Sequence, residues 1–164
     1  MKHSIRTATA EDAGALASIY NHYVAHTVVT FEEEPVAAGE MRRRMEEVFA
    51  SSLPWLVAEF EGRIGGYAYA TKWKARSAYR FSVETTVYLA DGLGKQGLGT
   101  RLYDELFRRL KGQGIHAAIG GIALPNDASV ALHEKFGMRK VAHFEQVGFK
   151  FGKWVDVAYW ERLL

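Results

Sequence analysis

The sequence has no cysteine, only three prolines, and no apolar run approaching the roughly 18 residues of a membrane-spanning helix. Without thiols there is no disulfide framework, no cysteine-ligated metal or iron–sulfur cluster and no cysteine nucleophile. A surplus of one charge is missing too: 21 Lys and Arg face 19 Asp and Glu, a net of +2. That balance gives no reason to expect general nucleic-acid binding, although it leaves room for a local basic patch. Met1-Lys2-His3 leads within a few residues to Glu11 and Asp12, where a signal peptide would need an apolar core. Together these absences point to a cytoplasmic protein with no membrane partner. The length of 164 residues fits one domain spanning 1–164. One residue type is in excess: there are 16 glycines, where typical usage gives about 11.

The hydrophobic pattern is mixed. Residues 2–8 read as a strand, and 13–26 as a helix with Leu16, Ile19, Tyr20 and Tyr23 on one face. Thr9 and Asp12 have capping-box spacing ahead of that helix. A second helix over 40–49 carries Met41, Met45, Val48 and Phe49, with Arg42, Arg43 and Arg44 as its solvated face. Strands follow over 55–60, 64–71 and 83–89. In the last, Val83, Thr85, Val87 and Leu89 share one face and Glu84, Thr86 and Tyr88 the other. A third helix over 96–111 repeats leucine at 98, 102, 106 and 110. A strand over 115–122, a helix over 126–136 and a hairpin of 147–151 with 154–160 around Gly152-Lys153 complete the chain.

Four glycines cluster at 92, 94, 97 and 99, between a strand and a helix start. Free backbone N–H groups and the positive end of a helix dipole bind phosphates at such a place. Gly92-x-Gly94-x-x-Gly97 matches the dinucleotide fingerprint literally, but no acidic residue follows about 20 positions later to hold a ribose. An ATPase-type phosphate loop fails as well, because Leu98-Gly99 stands where Lys-Ser/Thr is required.

Gly94-x-x-Gly97-x-Gly99 resembles the pyrophosphate loop of the GNAT acetyltransferases, with Gly94 in place of the usual Gln or Arg. The stretch from Asn126 through Ser129, Leu132, His133 and Gly137 to Met138 resembles that superfamily's later motif, with His133 at the usual tyrosine position. This substitution, together with Tyr69 to Tyr79, Val83 to Tyr88 and Gly152-x-Trp154-x-Asp156-Val157, resembles the phosphinothricin and methionine sulfoximine N-acetyltransferase branch. The resemblance runs from about Ile5 to Trp160. It implies an α/β (α+β) GNAT-type domain, with a central, mostly antiparallel mixed sheet flanked by about four helices. It also implies a homodimer, acetyl-CoA as co-substrate, no metal, and a small amine as acceptor.

By the same resemblance, Val87, Tyr88 and Leu89 would run beside the pantetheine arm. Lys95, Gln96, Gly97, Leu98, Gly99 and Thr100 would meet the phosphates. Asn126 would contact the pantetheine, although a simple helix cap has the same sequence signature. Glu84 and His133 match the two residues placed at the reacting amine, and Phe31, Thr85 and Thr86 fall at the acceptor pocket. Glu84 is also singled out by its own neighbours, as a carboxylate within a β-branched strand, where the other reading is an outward-facing residue of a half-exposed sheet. The basic and aromatic patch from Lys72 to Phe81, with Lys74 and Arg76, reads as a solvated edge, a single-strand nucleic-acid surface or an anchor for the acceptor's anionic groups. Glu32, Glu33 and Glu34 read as solvated, and His22 and His26 as helix-surface histidines without a third ligand. With no cysteine, transfer would be direct, assisted by a general base. Other readings remain: a different amine such as a protein N-terminus or a polyamine, or a non-catalytic module that binds CoA or nucleic acid.

Overall fold

The computed structural model describes residues 3–164. In chain order the elements are β1 (His3–Thr7), α1 (Ala13–His26), α2 (Ala38–Ala50), β2 (Trp55–Phe60), β3 (Arg63–Lys72), β4 (Ser82–Leu89), α3 (Leu98–Gly112), β5 (Ala117–Leu124), α4 (Asp127–Lys135), β6 (Arg139–Lys150) and β7 (Lys153–Leu163). The strand expected over 2–8 is β1; Lys2 lies outside the described residues. The described strands form one sheet in the order β1-β2-β3-β4-β5-β7-β6. Every pairing is antiparallel except β4 with β5. None of the described helices is long and apolar enough to cross a membrane.

Strand alternation divides the core. Ala68, Ala70 and Val83 face α3, and the two alanines, fully buried, let the helix lie close to the sheet. Leu98, Leu102, Leu106 and Leu110 of α3 fill that layer, all at most 2% exposed. The opposite face carries Tyr67, Tyr69 and Tyr88. Tyr20 and Tyr23 of α1 pack on Tyr88 with ring centroids 5.3 and 5.1 Å away, and Trp55 stacks on Tyr69 at 4.0 Å. Burial of these large side chains, about 1.5–3 kcal/mol each, is the main source of cohesion between the layers.

Several boundaries shift for local reasons. The third helix starts at Leu98 rather than Gln96, because Gly97 takes the left-handed conformation (φ +77°) as its cap. The following strand is Ala117–Leu124, not 115–122. Thr9 caps a short 3-10 turn, Ala10–Asp12, ahead of α1, where Asp12 Oδ2 accepts the Thr9 N–H at 2.7 Å. The terminal hairpin is longer than its apolar pattern. β6 begins at Arg139, through a stretch whose charged residues and register shifts suit an edge strand. Its turn is Phe151-Gly152, both at positive φ, rather than Gly152-Lys153.

The central seam is the feature that positions a site. β4 and β5 pair only through Ser82↔Ala117, Val83↔Ala118 and Glu84↔Ile119. Beyond that point Thr85–Leu89 and Gly120–Leu124 diverge, and β5 remains paired only with β7.

Candidate active site

The backbone of β4 shows what the divergence exposes. Trp73 N–H bonds to Ser82 O, and Ala90 N–H to Gly65 O. Antiparallel alternation then turns the polar groups of Glu84, Thr86 and Tyr88 toward β3. Those of Thr85, Val87 and Leu89 face the β5 side, where the ladder ends at Glu84↔Ile119. The Tyr23 hydroxyl takes the Leu89 carbonyl at 2.7 Å, which leaves Val87 with both N–H and C=O turned to the gap.

Glu84 projects from the face shared with α1 and α2. It opens into a cleft of about 470 Å³ walled by Val29, Thr30 and Phe31 from the α1–α2 loop, by Phe144 and Val147 of β6 and by Tyr159 of β7. Burial pushes its carboxyl above the ordinary carboxylate range, while the Lys74 charge opposes this. A carboxylate without a fixed partner among the described residues, raised by desolvation and facing open space, is equipped to accept a proton.

His133 comes from the other face. It is 3% exposed. Its Nδ1 lies 2.7 Å from the Ser129 carbonyl oxygen, an acceptor only, so Nδ1 carries the proton. Nε2 therefore accepts from the Tyr103 hydroxyl at 3.1 Å. Burial lowers the histidine's pKa and favours this neutral ring. The pair borders a smaller polar cavity in the wedge, together with Asn126, Ser129 and Thr85. Thr85 is 3% exposed, and its hydroxyl has no partner among the described residues. The structure thus does not bring Glu84 and His133 together at one point. They line adjoining cavities on opposite faces, joined where Thr86, Tyr88 and Gly121 border both.

Beyond the wedge, a cavity of about 510 Å³ runs along Val87, Leu89, Lys95, Gly99, Asn126 and Leu132. Gly92, Lys95 and Gly97 all have positive φ. Arg101 donates to the Gly97 carbonyl at 3.1 Å, so the N–H groups of Leu98, Gly99 and Thr100 precede the first helical bond of α3. This arrangement fits a pyrophosphate at the helix end and an extended, amide-bearing arm beside Val87. The contribution of Leu98 is its backbone alone, because its side chain is core. The Gln96 side chain is exposed and outside the cavity lining, and the Thr100 hydroxyl accepts from Lys135 at 3.3 Å. Asn126 caps α4 by accepting the Ser129 N–H at 3.1 Å, and also lines the cavity.

Lys74 and Arg76 are exposed, in the segment leading to β4, and do not line the cleft wall. The Lys74 ammonium lies over the Trp73 ring at 5.0 Å. Two runs expected to be solvated are partly structural. Glu32 bonds to Tyr20 and pairs with Arg44, which holds its carboxyl below the usual range. Among the described residues no three His, Asp or Glu side chains converge in a way that could hold a metal. His22 and His26 lie side by side, their rings 5.1 Å apart.

Neither Tyr103, hidden in the core stripe of α3, nor the walls supplied by β6 and β7 stand out in the sequence. Gly120-Gly121, inside a strand, was the available signal. A Cβ on Gly120 would lie 2.5 Å from His133 Nε2, and one on Gly121 would lie 2.9 Å from the Tyr159 ring. Each glycine makes room for one wall of the site.

Residues 5–159 match the acetyltransferase (GNAT) domain. The chain is 42% identical to a phosphinothricin N-acetyltransferase of Streptomyces viridochromogenes, over 96% of this chain and 86% of that protein. It is 33% identical to an L-methionine sulfoximine/L-methionine sulfone acetyltransferase of Salmonella typhimurium, over 95% and 91%. Among solved structures it matches a phosphinothricin acetyltransferase from Sinorhizobium meliloti in complex with acetyl-CoA, with a TM-score of 0.96 and 35% identity over 100% of this chain and 89% of that one. The split seam, the glycine-opened helix and these relationships agree: the chain belongs to the GNAT family of acetyltransferases.

Proposed function

We propose that this protein transfers the acetyl group of acetyl-CoA to the α-amine of small glutamate-like amino-acid analogues, namely phosphinothricin, methionine sulfoximine or methionine sulfone. The observation that carries the reading is a half-buried Glu84, without a hydrogen-bond partner among the described residues, at the mouth of a seam where the Val87 N–H turns to the gap. Acetyl-CoA supplies an acyl group already activated as a thioester. Val87 and Leu89 would lie beside its arm, and Lys95 with the N–H groups of Leu98, Gly99 and Thr100 would hold its phosphates. Glu84 accepts the proton that the amine must lose as the new N–C bond forms; the thioester C–S bond breaks, and CoA leaves as the thiol once its sulfur takes up a proton. The Val87 N–H, turned to the gap, donates to the oxygen on which negative charge develops.

His133 is a positioning residue in this scheme. Its neutral ring fixes the Tyr103 hydroxyl in the wedge, rather than touching the amine. Phe31, Phe144 and Val147 suit the methylene groups of the acceptor, Thr86 borders its pocket, and Lys74 and Arg76, outside the cleft lining, would meet its carboxylate and phosphinate or sulfone oxygens from solvent. The same cations disfavour a polyamine.

The working unit is a single domain over 1–164, acting in the cytoplasm as a homodimer with no nucleic-acid or membrane partner. Support for the dimer comes from the β6–β7 hairpin, where Val147, Phe149, Phe151 and Trp154 are all more than half exposed. An apolar patch of this kind marks an interaction surface. The test is CoA release from acetyl-CoA with phosphinothricin, methionine sulfoximine, methionine sulfone and ordinary amino acids. Turnover of the first three above the rest supports the assignment. Binding of acetyl-CoA with no turnover of any of the three overturns it.

A further inference from the structure

We propose that Gly148 and Lys150, two positions on β6 that do not line the cleft, are positioning residues that set acceptor specificity by fixing Thr30 and Phe31 in the cleft wall; this rests on the acceptor cleft assigned above. The wall segment between α1 and α2 has no helix or strand of its own, so its shape depends on what it is tied to. On one side it is bonded to α1. The Tyr20 hydroxyl meets Thr30 Oγ1 at 2.6 Å, and Asn21 bonds to both the N–H and C=O of Val36, at 2.7 and 2.9 Å. Arg44 of α2 holds Glu32 at 2.9 Å.

On the other side the tie is a single buried charge. Lys150 Nζ donates to the Thr30 carbonyl at 2.8 Å, and the residue is 1% exposed. Lysine is almost never fully buried unless paired, because stripping an ammonium of water is costly. Strand pairing does not require an amine at the end of β6; an apolar side chain would serve the sheet equally well. What the ammonium adds is a hold on the residue next to Phe31. The second hold is the absence of a side chain. A Cβ on Gly148 would lie 2.3 Å from Phe31 Cζ. The backbone of Gly148 is not left-handed, so the Phe31 ring, rather than φ, is what a larger residue there would have to displace. The ring sits in the space that this glycine leaves, and the width of the acceptor cleft is thereby written into the hairpin.

The experiment compares Lys150→Met, close in shape to lysine, and Gly148→Ala with wild type, using acceptors of different side-chain length. Loss of a charged hydrogen bond predicts a rise in acceptor KM of about tenfold. The KM for acetyl-CoA should stay unchanged, kcat should stay within about twofold, and the ranking of acceptors should change. In a Phe31→Ala background both substitutions should lose most of their effect, since they act through that ring. Amide hydrogen exchange gives a readout independent of turnover: Lys150→Met should speed exchange over residues 28–34 and leave α3 and β4 protected. The proposal is overturned by an unchanged acceptor KM in both variants, or by a parallel loss of kcat and both KM values with a lowered Tm. It is equally overturned by unchanged protection of 28–34 in Lys150→Met. A wild-type protein that turns over none of the acceptors sinks the functional assignment instead, and the exchange measurement still decides this one.

Discussion

Each face of the split seam carries one acid–base side chain, a carboxyl on one and an imidazole on the other, and burial drives both toward their neutral forms. Glu84 is raised and His133 is lowered. They differ in what surrounds the ring or carboxyl. Both His133 nitrogens are engaged, one donating to Ser129 and one accepting from Tyr103, whereas Glu84 looks into a cleft of about 470 Å³. Desolvation by itself therefore does not mark a base. A lone pair left free toward the acceptor does, and by that criterion the open face holds the chemistry and the closed face holds the geometry.

The largest expected effect falls on the open face. Glu84→Gln keeps the shape and removes the proton acceptor, so kcat should fall by about 10²–10⁴-fold with little change in Tm. Turnover within a few-fold of wild type would remove Glu84 as the base and erase the distinction between the faces.

The adjacent glycines of β5 separate the faces next. In Gly120→Ala the new Cβ meets a His133 ring pinned by two hydrogen bonds, 2.5 Å from Nε2. Overpacking of this sort costs about 1–3 kcal/mol and should appear as a lower Tm. In Gly121→Ala the Cβ approaches the Tyr159 ring, 2.9 Å away, which borders an open cleft and can give way. That variant should keep more of its stability and show its effect mainly in acceptor KM. Equal losses of Tm in the two variants would mean that the faces are equally rigid. A smaller step on the closed face is Tyr103→Phe, which leaves His133 Nε2 without its donor. It should cost about 1 kcal/mol of stability and reduce kcat far less than Glu84→Gln. A loss as large as that of Glu84→Gln would put Tyr103 in the reacting centre.

The open face was easier to read from the sequence than the closed one, for a physical reason. Glu84 breaks a β-branched strand, and the glycine cluster breaks a helix start, so both violate local pattern and announce themselves. Tyr103 obeys its pattern, since an aromatic at a core position of α3 looks like packing. The fold was legible wherever alternation or leucine spacing is strict, as in β3, β4 and α3. It was least legible in β6, whose charged outer residues mask the period, and that strand supplies the cleft wall. The placement of His133 depends on which strands diverge, a property of sheet pairing that no short motif encodes. Arg44 and Glu32 read as surface charges for the same reason: the loop that brings them together has no periodicity.

The smallest effect distinguishes two roles for Lys74 at the edge of the open face. Its charge favours the ionised form of Glu84 and so opposes the upward push of burial. A base works deprotonated, so the acid limb of kcat/KM follows the Glu84 pKa. Removing the cation in Lys74→Met raises that pKa further and moves the limb to higher pH. Activity should then be lost mostly below neutrality and recovered as the pH rises, with Lys74→Arg resembling wild type. At neutral pH the loss should stay within about fivefold, because an exposed charge acting across solvent contributes about 1 kcal/mol at most. If Lys74 serves only to anchor the acceptor's anionic groups, the variant raises acceptor KM equally at every pH and leaves the limb in place. A limb displaced to lower pH would contradict both roles, since removing a nearby cation can only raise the Glu84 pKa.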